Sequence, residues 1–140
     1  MVVLYLLNSL DIDKERHELA KVLIVDDDLT TVKLLETLLE LDGFEVAIAR
    51  RGGDVINVAT KENPDIILMD YHLTDMDGVD ILREIRRGGP FMTLPIIMTS
   101  GLDVEDEVME AGASTFIVKP FEPDQLPILF NKYISEHQNK

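Results

Sequence analysis

Five short apolar runs, most of them rich in β-branched residues and separated by amphipathic segments, constrain this chain more than any other feature. The first is Val22-Leu23-Ile24-Val25. The others are residues 44–49, Ile66-Ile67-Leu68-Met69, Pro95-Ile96-Ile97-Met98 and Thr115-Phe116-Ile117-Val118. The first, short and without polar alternation, suits a strand buried on both faces, and the others read as further strands. After the first run, Val32, Leu35, Leu38 and Leu39 recur at helical spacing. Asp28 or Thr30 offers an N-cap there, and Gly43 stands where a left-handed C-cap belongs. Further helices are expected over residues 54–61, 79–87 and 104–111, and from Pro123 to about residue 136, with Pro123 suited to the first helical position. Asn63-Pro64 and Gly88-Gly89-Pro90 are turn and stop signals. Pro127 conflicts with the last helix, because it removes a hydrogen-bond donor; a bend or a late start is expected there.

Strand and helix thus alternate five times, which implies an α/β domain. Its parallel sheet is covered by helices on both faces through right-handed crossovers. A length of 140 residues fits one domain, large enough to need no disulfide or structural zinc. Cysteine is absent, which excludes thiol nucleophiles, zinc knuckles and iron–sulfur centres. Acidic residues number 27 against 13 basic, for a formal net charge of −14. Phosphate backbones repel such a surface, so direct nucleic-acid binding is not expected. A divalent cation or a basic partner would suit it. The run Val2-Val3-Leu4-Tyr5-Leu6-Leu7 is far shorter than the roughly 20 residues needed to span a bilayer. Neither a basic leader region nor a cleavage site accompanies it. Residues 1–20 are read as an N-terminal appendage without an assigned role, residues 21–137 as the domain and residues 138–140 as a tail.

In a parallel sheet all strand C-termini share one edge, and ligands bind in the crevice there. Reading the residues after each run, the first strand ends in Asp26-Asp27, the third in Asp70, the fourth in Thr99 and the fifth in Lys119. Three carboxylates, a hydroxyl and an ammonium therefore converge. A hard divalent cation relieves the repulsion among the carboxylates, and a small all-oxygen set favours Mg²⁺. A carboxylate beside Mg²⁺ is suited to attack a phosphoryl group whose oxygens Lys119 and the metal neutralise and Thr99 hydrogen-bonds. Each residue alone has a plainer reading. Asp26-Asp27-Asp28 could be a helix start, Asp70 a turn residue, Thr99 a satisfied strand-end hydroxyl, Lys119 a solvated charge and Phe116 core. Their common edge and order favour the functional reading.

Over residues 21–136 the chain resembles the CheY-like receiver domain of two-component response regulators. The resemblance rests on Val22-Leu23-Ile24-Val25-Asp26-Asp27-Asp28, Pro64-Asp65-Ile66-Ile67-Leu68-Met69-Asp70, Asp75-Met76-Asp77-Gly78, Pro95-Ile96-Ile97-Met98-Thr99-Ser100, Ala111-Gly112-Ala113 and Val118-Lys119-Pro120-Phe121. It implies a doubly wound, flavodoxin-like sheet of strand order 2-1-3-4-5. It also implies Asp70 as phosphoacceptor, with Mg²⁺ held by Asp27 and Asp70 side chains and the His72 backbone carbonyl. Asp26 would act mainly through metal-bound water. Thr99 and Lys119 would contact the phosphoryl group, and Phe116 would change rotamer with Thr99. The Lys119–Pro120 bond is usually cis in such proteins. Thr74 stands where the family often has proline, which removes a rigid element from that loop. Gly101 and His72 occupy places that flank the route of hydrolytic water, and slow loss of the phosphoryl group is expected.

The function expected from this resemblance is a cytoplasmic signalling switch. It would be phosphorylated by a sensor histidine kinase or a histidine phosphotransfer protein, without turnover on a separate substrate. With 21 residues after Lys119, output is expected through contact with a downstream protein, a relay to another histidine, or a domain outside this sequence, with a homodimer as a further option. Two alternatives stay open. One is an Mg²⁺-dependent aspartyl-phosphate phosphohydrolase, although its Asp-x-Asp-x-Thr pattern would need an acid where His72 stands. The other is a structural module that is never phosphorylated, whose usual sign would be loss of Asp70 or Lys119. No Gly-x-Gly-x-x-Gly or Walker loop follows the first strand, which argues against a nucleotide site.

Overall fold

The computed structural model describes residues 19–139. The appendage expected over residues 1–20 lies almost wholly outside them, as does the last residue of the expected tail. Strands β1 (Lys21–Val25), β2 (Glu45–Ala49), β3 (Ile66–Asp70), β4 (Ile96–Ser100) and β5 (Thr115–Val118) form one sheet of order β2-β1-β3-β4-β5, parallel throughout. Helices α1 (Leu29–Leu41), α2 (Val55–Glu62), α3 (Gly78–Arg87), α4 (Glu105–Glu110) and α5 (Gln125–Gln138) alternate with the strands, and a 3₁₀ turn over Gly52–Asp54 precedes α2. This is the expected doubly wound, flavodoxin-like architecture.

Pleating divides the core into two layers. Leu23, Val25, Ile67, Met69, Ile96 and Met98 face α2, α3 and α4, where Val55, Ala59, Val79, Leu82, Ile85 and Val108 meet them. The alternate residues Val22, Ile24, Ile66, Leu68, Ile97 and Ile117 face α1 and α5, against Val32, Leu35, Leu39, Leu126, Phe130 and Ile134. Two buried faces explain why β1, β3 and β4 read as unbroken apolar runs, whereas the edge strands β2 and β5 are only partly buried. The Asp28 carboxylate accepts from the Thr30 amide at 3.2 Å and from the Thr31 hydroxyl at 2.7 Å, starting α1. Gly43, at φ +92°, ends it.

Most boundaries shift by about one residue, and two differences bear on the site and on the last helix. β4 continues through Thr99 and Ser100, because both remain paired: Asp70 lies opposite Thr99, and Ser100 opposite Val118. The last helix begins at Gln125 and not at Pro123. Pro127 therefore falls in the first turn, where an N–H has no partner within the helix, and its missing donor costs nothing there. This is the late start that Pro127 implied.

Phe130 is fully buried in the α1/α5 layer, edge-on to Phe44 with ring centroids 5.7 Å apart. Phe130→Ala should destabilise the protein by about 3–5 kcal/mol, through lost burial and the cavity left behind. Urea unfolding checks this; an unchanged midpoint would mean that α5 is not docked as described.

Candidate functional site

Strand register places the site. Ile24, Leu68, Ile97 and Ile117 all lie in the α1/α5 layer. Two residues further along each strand, on the same side of the sheet, stand Asp26, Asp70, Thr99 and Lys119. They line a small cleft at the C-terminal edge together with Thr31 and Phe121. A larger concavity of 440 Å³ lies at the opposite edge, among Asn63, Asp65, Pro90, Thr93 and His137, away from these residues.

The acidic residues crowd together. Asp26, Asp27 and Asp70 each offer a carboxylate oxygen, all within 4.8 Å of one another. The Asp26 side chain is 7% exposed and that of Asp70 13%, so water screens their charges poorly. Asp26 accepts from the Asp28 amide at 2.9 Å. Lys119 Nζ lies 3.5 Å from Asp26 Oδ2 and 3.4 Å from Asp70 Oδ2, one cation shared by two anions. Burial pushes the Asp70 carboxyl above its ordinary range; Lys119 pulls it back and Asp26 adds to the rise, and the net direction is upward. Three hard oxygen donors with too little positive charge fit a divalent cation such as Mg²⁺. The Thr99 hydroxyl oxygen is buried with no hydrogen-bond partner among the described residues. Such a group is unfavourable unless a ligand completes it.

Other expected residues lie around this centre. His72 is exposed in the loop after β3, with Nδ1 3.8 Å from Asp77 Oδ1 and its ring 4.7 Å from that of Tyr71. Phe116 lies opposite Met98 and is half-buried against the α2/α3/α4 layer, on the other side of the sheet from the cleft. The Lys119–Pro120 peptide is cis.

Two features escaped the sequence reading. A Cβ on Gly78 would collide with the Asp70 backbone oxygen. The Gly78 amide donates to Tyr71 O at 2.6 Å, so α3 begins directly against the strand end that carries Asp70. The Asp-Gly pair was legible only as turn chemistry, because close approach to another segment leaves no local signature. The Tyr71 hydroxyl donates to Glu107 Oε1 at 2.8 Å, tying the residue after Asp70 to α4. That carboxylate, aided by burial, pushes the tyrosine up to about 12.

Two outcomes follow from this geometry. Gly78→Ala should cost about 1–3 kcal/mol, the range for overpacking, and should shift the Asp70 amide resonance; a silent substitution would mean that the contact is relaxed. The second concerns pH. An elevated carboxyl favours folding while protonated, and that contribution is lost as pH rises through the folded-state value. With metal chelated, Asp70→Asn should therefore raise the melting temperature at pH 7, by a margin that narrows toward pH 4. Equal melting at both pH values would contradict the assigned burial of Asp70.

Comparison with known proteins agrees with this geometry. The family model for the response regulator receiver domain matches residues 22–131. A "Probable transcriptional regulator ycf27" of Guillardia theta is 41% identical over 120 residues, covering 84% of this chain and 45% of that protein. The chain spans about half or less of the length of the curated relatives it matches. Among solved structures, the receiver domain of Francisella response regulator 1452 superposes with a TM-score of 0.78 at 27% identity, covering 84% of this chain and 98% of that one. A CheY-like receiver domain protein from Methanospirillum hungatei JF-1 gives 0.77 at 29%, covering 86% and 98%. The receiver domain of sensor histidine kinase PA1611 from Pseudomonas aeruginosa PAO1, with a magnesium ion coordinated in its active-site cleft, gives 0.76 at 28%, covering 84% and 98%. A family match across residues 22–131, on a sheet that gathers the acidic and basic residues at one edge, places this chain in the response regulator receiver domain family of two-component signalling.

Proposed function

We propose that the chain is a phosphorylation-dependent switch that takes a phosphoryl group onto Asp70 from a histidine kinase or a histidine phosphotransfer protein. The observation that carries the reading is the group around Asp70. Its carboxylate lies within reach of the Lys119 ammonium, beside two further carboxylates and near a buried hydroxyl that lacks a partner among the described residues. In the transfer, an Asp70 oxygen attacks phosphorus as the phosphorus–nitrogen bond of phosphohistidine breaks. The imidazole leaves with the bonding electron pair.

Asp26, Asp27, Asp70 and the His72 carbonyl would hold Mg²⁺, with Asp26 acting mainly through bound water. When bound, the metal supplies positive charge at the phosphoryl oxygens. Lys119 would shift from its two carboxylates to a phosphoryl oxygen, and Thr99 would donate the hydrogen bond its hydroxyl now lacks. Movement of Thr99 would be read by Phe116 on the far side of β5, with Pro120 forming the turn after Lys119. Output would pass by protein contact in a cytoplasmic setting; among the described residues no helix is long and apolar enough to cross a membrane. Gly101 has open space where a side chain would project, and the His72 imidazole lies beside Asp77. Gly101 brings no side chain toward the route of hydrolytic water, which supports a long-lived phosphoryl group. The phosphohydrolase reading gains nothing from this placement of His72.

Incubation with Mg²⁺ and acetyl phosphate should add one phosphoryl group, read by intact mass, and chelation should stop it. Asp70→Asn should abolish the addition. Lys119→Ala should still accept the group while losing most of the conformational response, read by amide shifts. Modification persisting in Asp70→Asn would overturn the choice of nucleophile.

A further inference from the structure

We propose that Thr74 is a positioning residue for Asp27, orienting its carboxylate for the divalent cation. The inference rests on the metal reading above and adds a residue that stands outside the acidic set. Asp26 closes the run of β1 and Asp70 belongs to β3, so the sheet fixes both. Asp27 lies in the loop after β1, where no ladder holds it. Its restraint comes from across the cleft: the Thr74 hydroxyl donates a hydrogen bond to Asp27 Oδ2. One accepted bond leaves lone pairs on both oxygens of Asp27 for a metal.

Thr74 can do this because its own loop is held on both sides. The Leu73 amide donates to Met76 O at 3.1 Å. The Asp75 carboxylate spans the turn before α2, accepting from the Gly52 amide at 2.8 Å and the Gly53 amide at 2.9 Å. These contacts fix the loop at the place where proline is common in such domains, and they leave a hydroxyl where proline has none. Partners that orient metal ligands strengthen binding by limiting the freedom lost when the ion arrives. Thr74 is exposed, so replacing it leaves the core intact.

Calorimetric Mg²⁺ titration of the full chain at pH 7 tests this. Thr74→Val keeps the shape and removes the donor, and should raise the Mg²⁺ dissociation constant about tenfold, while Thr74→Ser stays within about twofold of the wild type. At saturating Mg²⁺, Thr74→Val should take phosphoryl groups from acetyl phosphate at the wild-type rate. Unchanged or tighter binding by Thr74→Val would overturn the proposal and leave the phosphoacceptor reading standing, as would a Thr74→Ser variant as weak as Thr74→Val or slow phosphorylation at saturating metal. A folded wild type that binds no Mg²⁺ would overturn both this proposal and the metal reading.

Discussion

Like charge held close together at low exposure is the condition on which the rest of this structure turns. Asp26, Asp27 and Asp70 would separate if their backbones were free, since carboxylates this close repel, most strongly the poorly exposed Asp26 and Asp70. Strands β1 and β3 are hydrogen-bonded neighbours buried on both faces, so the cost of that repulsion is carried by the whole core. Lys119 offsets part of it from the end of β5 by reaching two of the three anions. The remainder is an excess of negative charge that a divalent cation would relieve.

The layers of the core serve this arrangement differently. The α1/α5 layer leads into the candidate site, because each strand that ends at the cleft continues its inward-facing row into a polar residue. The α2/α3/α4 layer carries connections away from it. Gly78 lets α3 start against the Asp70 carbonyl, and Tyr71 reaches Glu107 on α4. A change at Asp70 therefore bears on two helices through contacts made by the residues just after it. Phe116 lies on the same side of the sheet, and its registered partner Met98 directly precedes Thr99.

Most of the fold was legible because burial on two faces leaves a strong mark: unbroken apolar strands, capped helices and a polar residue at each strand end. The errors came where pairing overrides composition. Thr99 and Ser100 look like residues after a strand because they are polar, yet the ladder to β3 and β5 holds them within it. Pro123 looks like a helix start, yet α5 begins two residues later, so that Pro127 falls where no donor is needed.

The sequence by itself determined the alternation of elements, the edge where the candidate site residues meet, and the chemical types gathered there. Those follow from periodicity and strand direction, which are local. Tertiary structure alone decided that Thr74 bonds Asp27 across 47 positions of sequence, that Asp75 holds the loop before α2, and that Gly78 must lack a side chain because Asp70 lies against it. Such contacts depend on how separate loops approach once the sheet is assembled, and no local pattern encodes that distance.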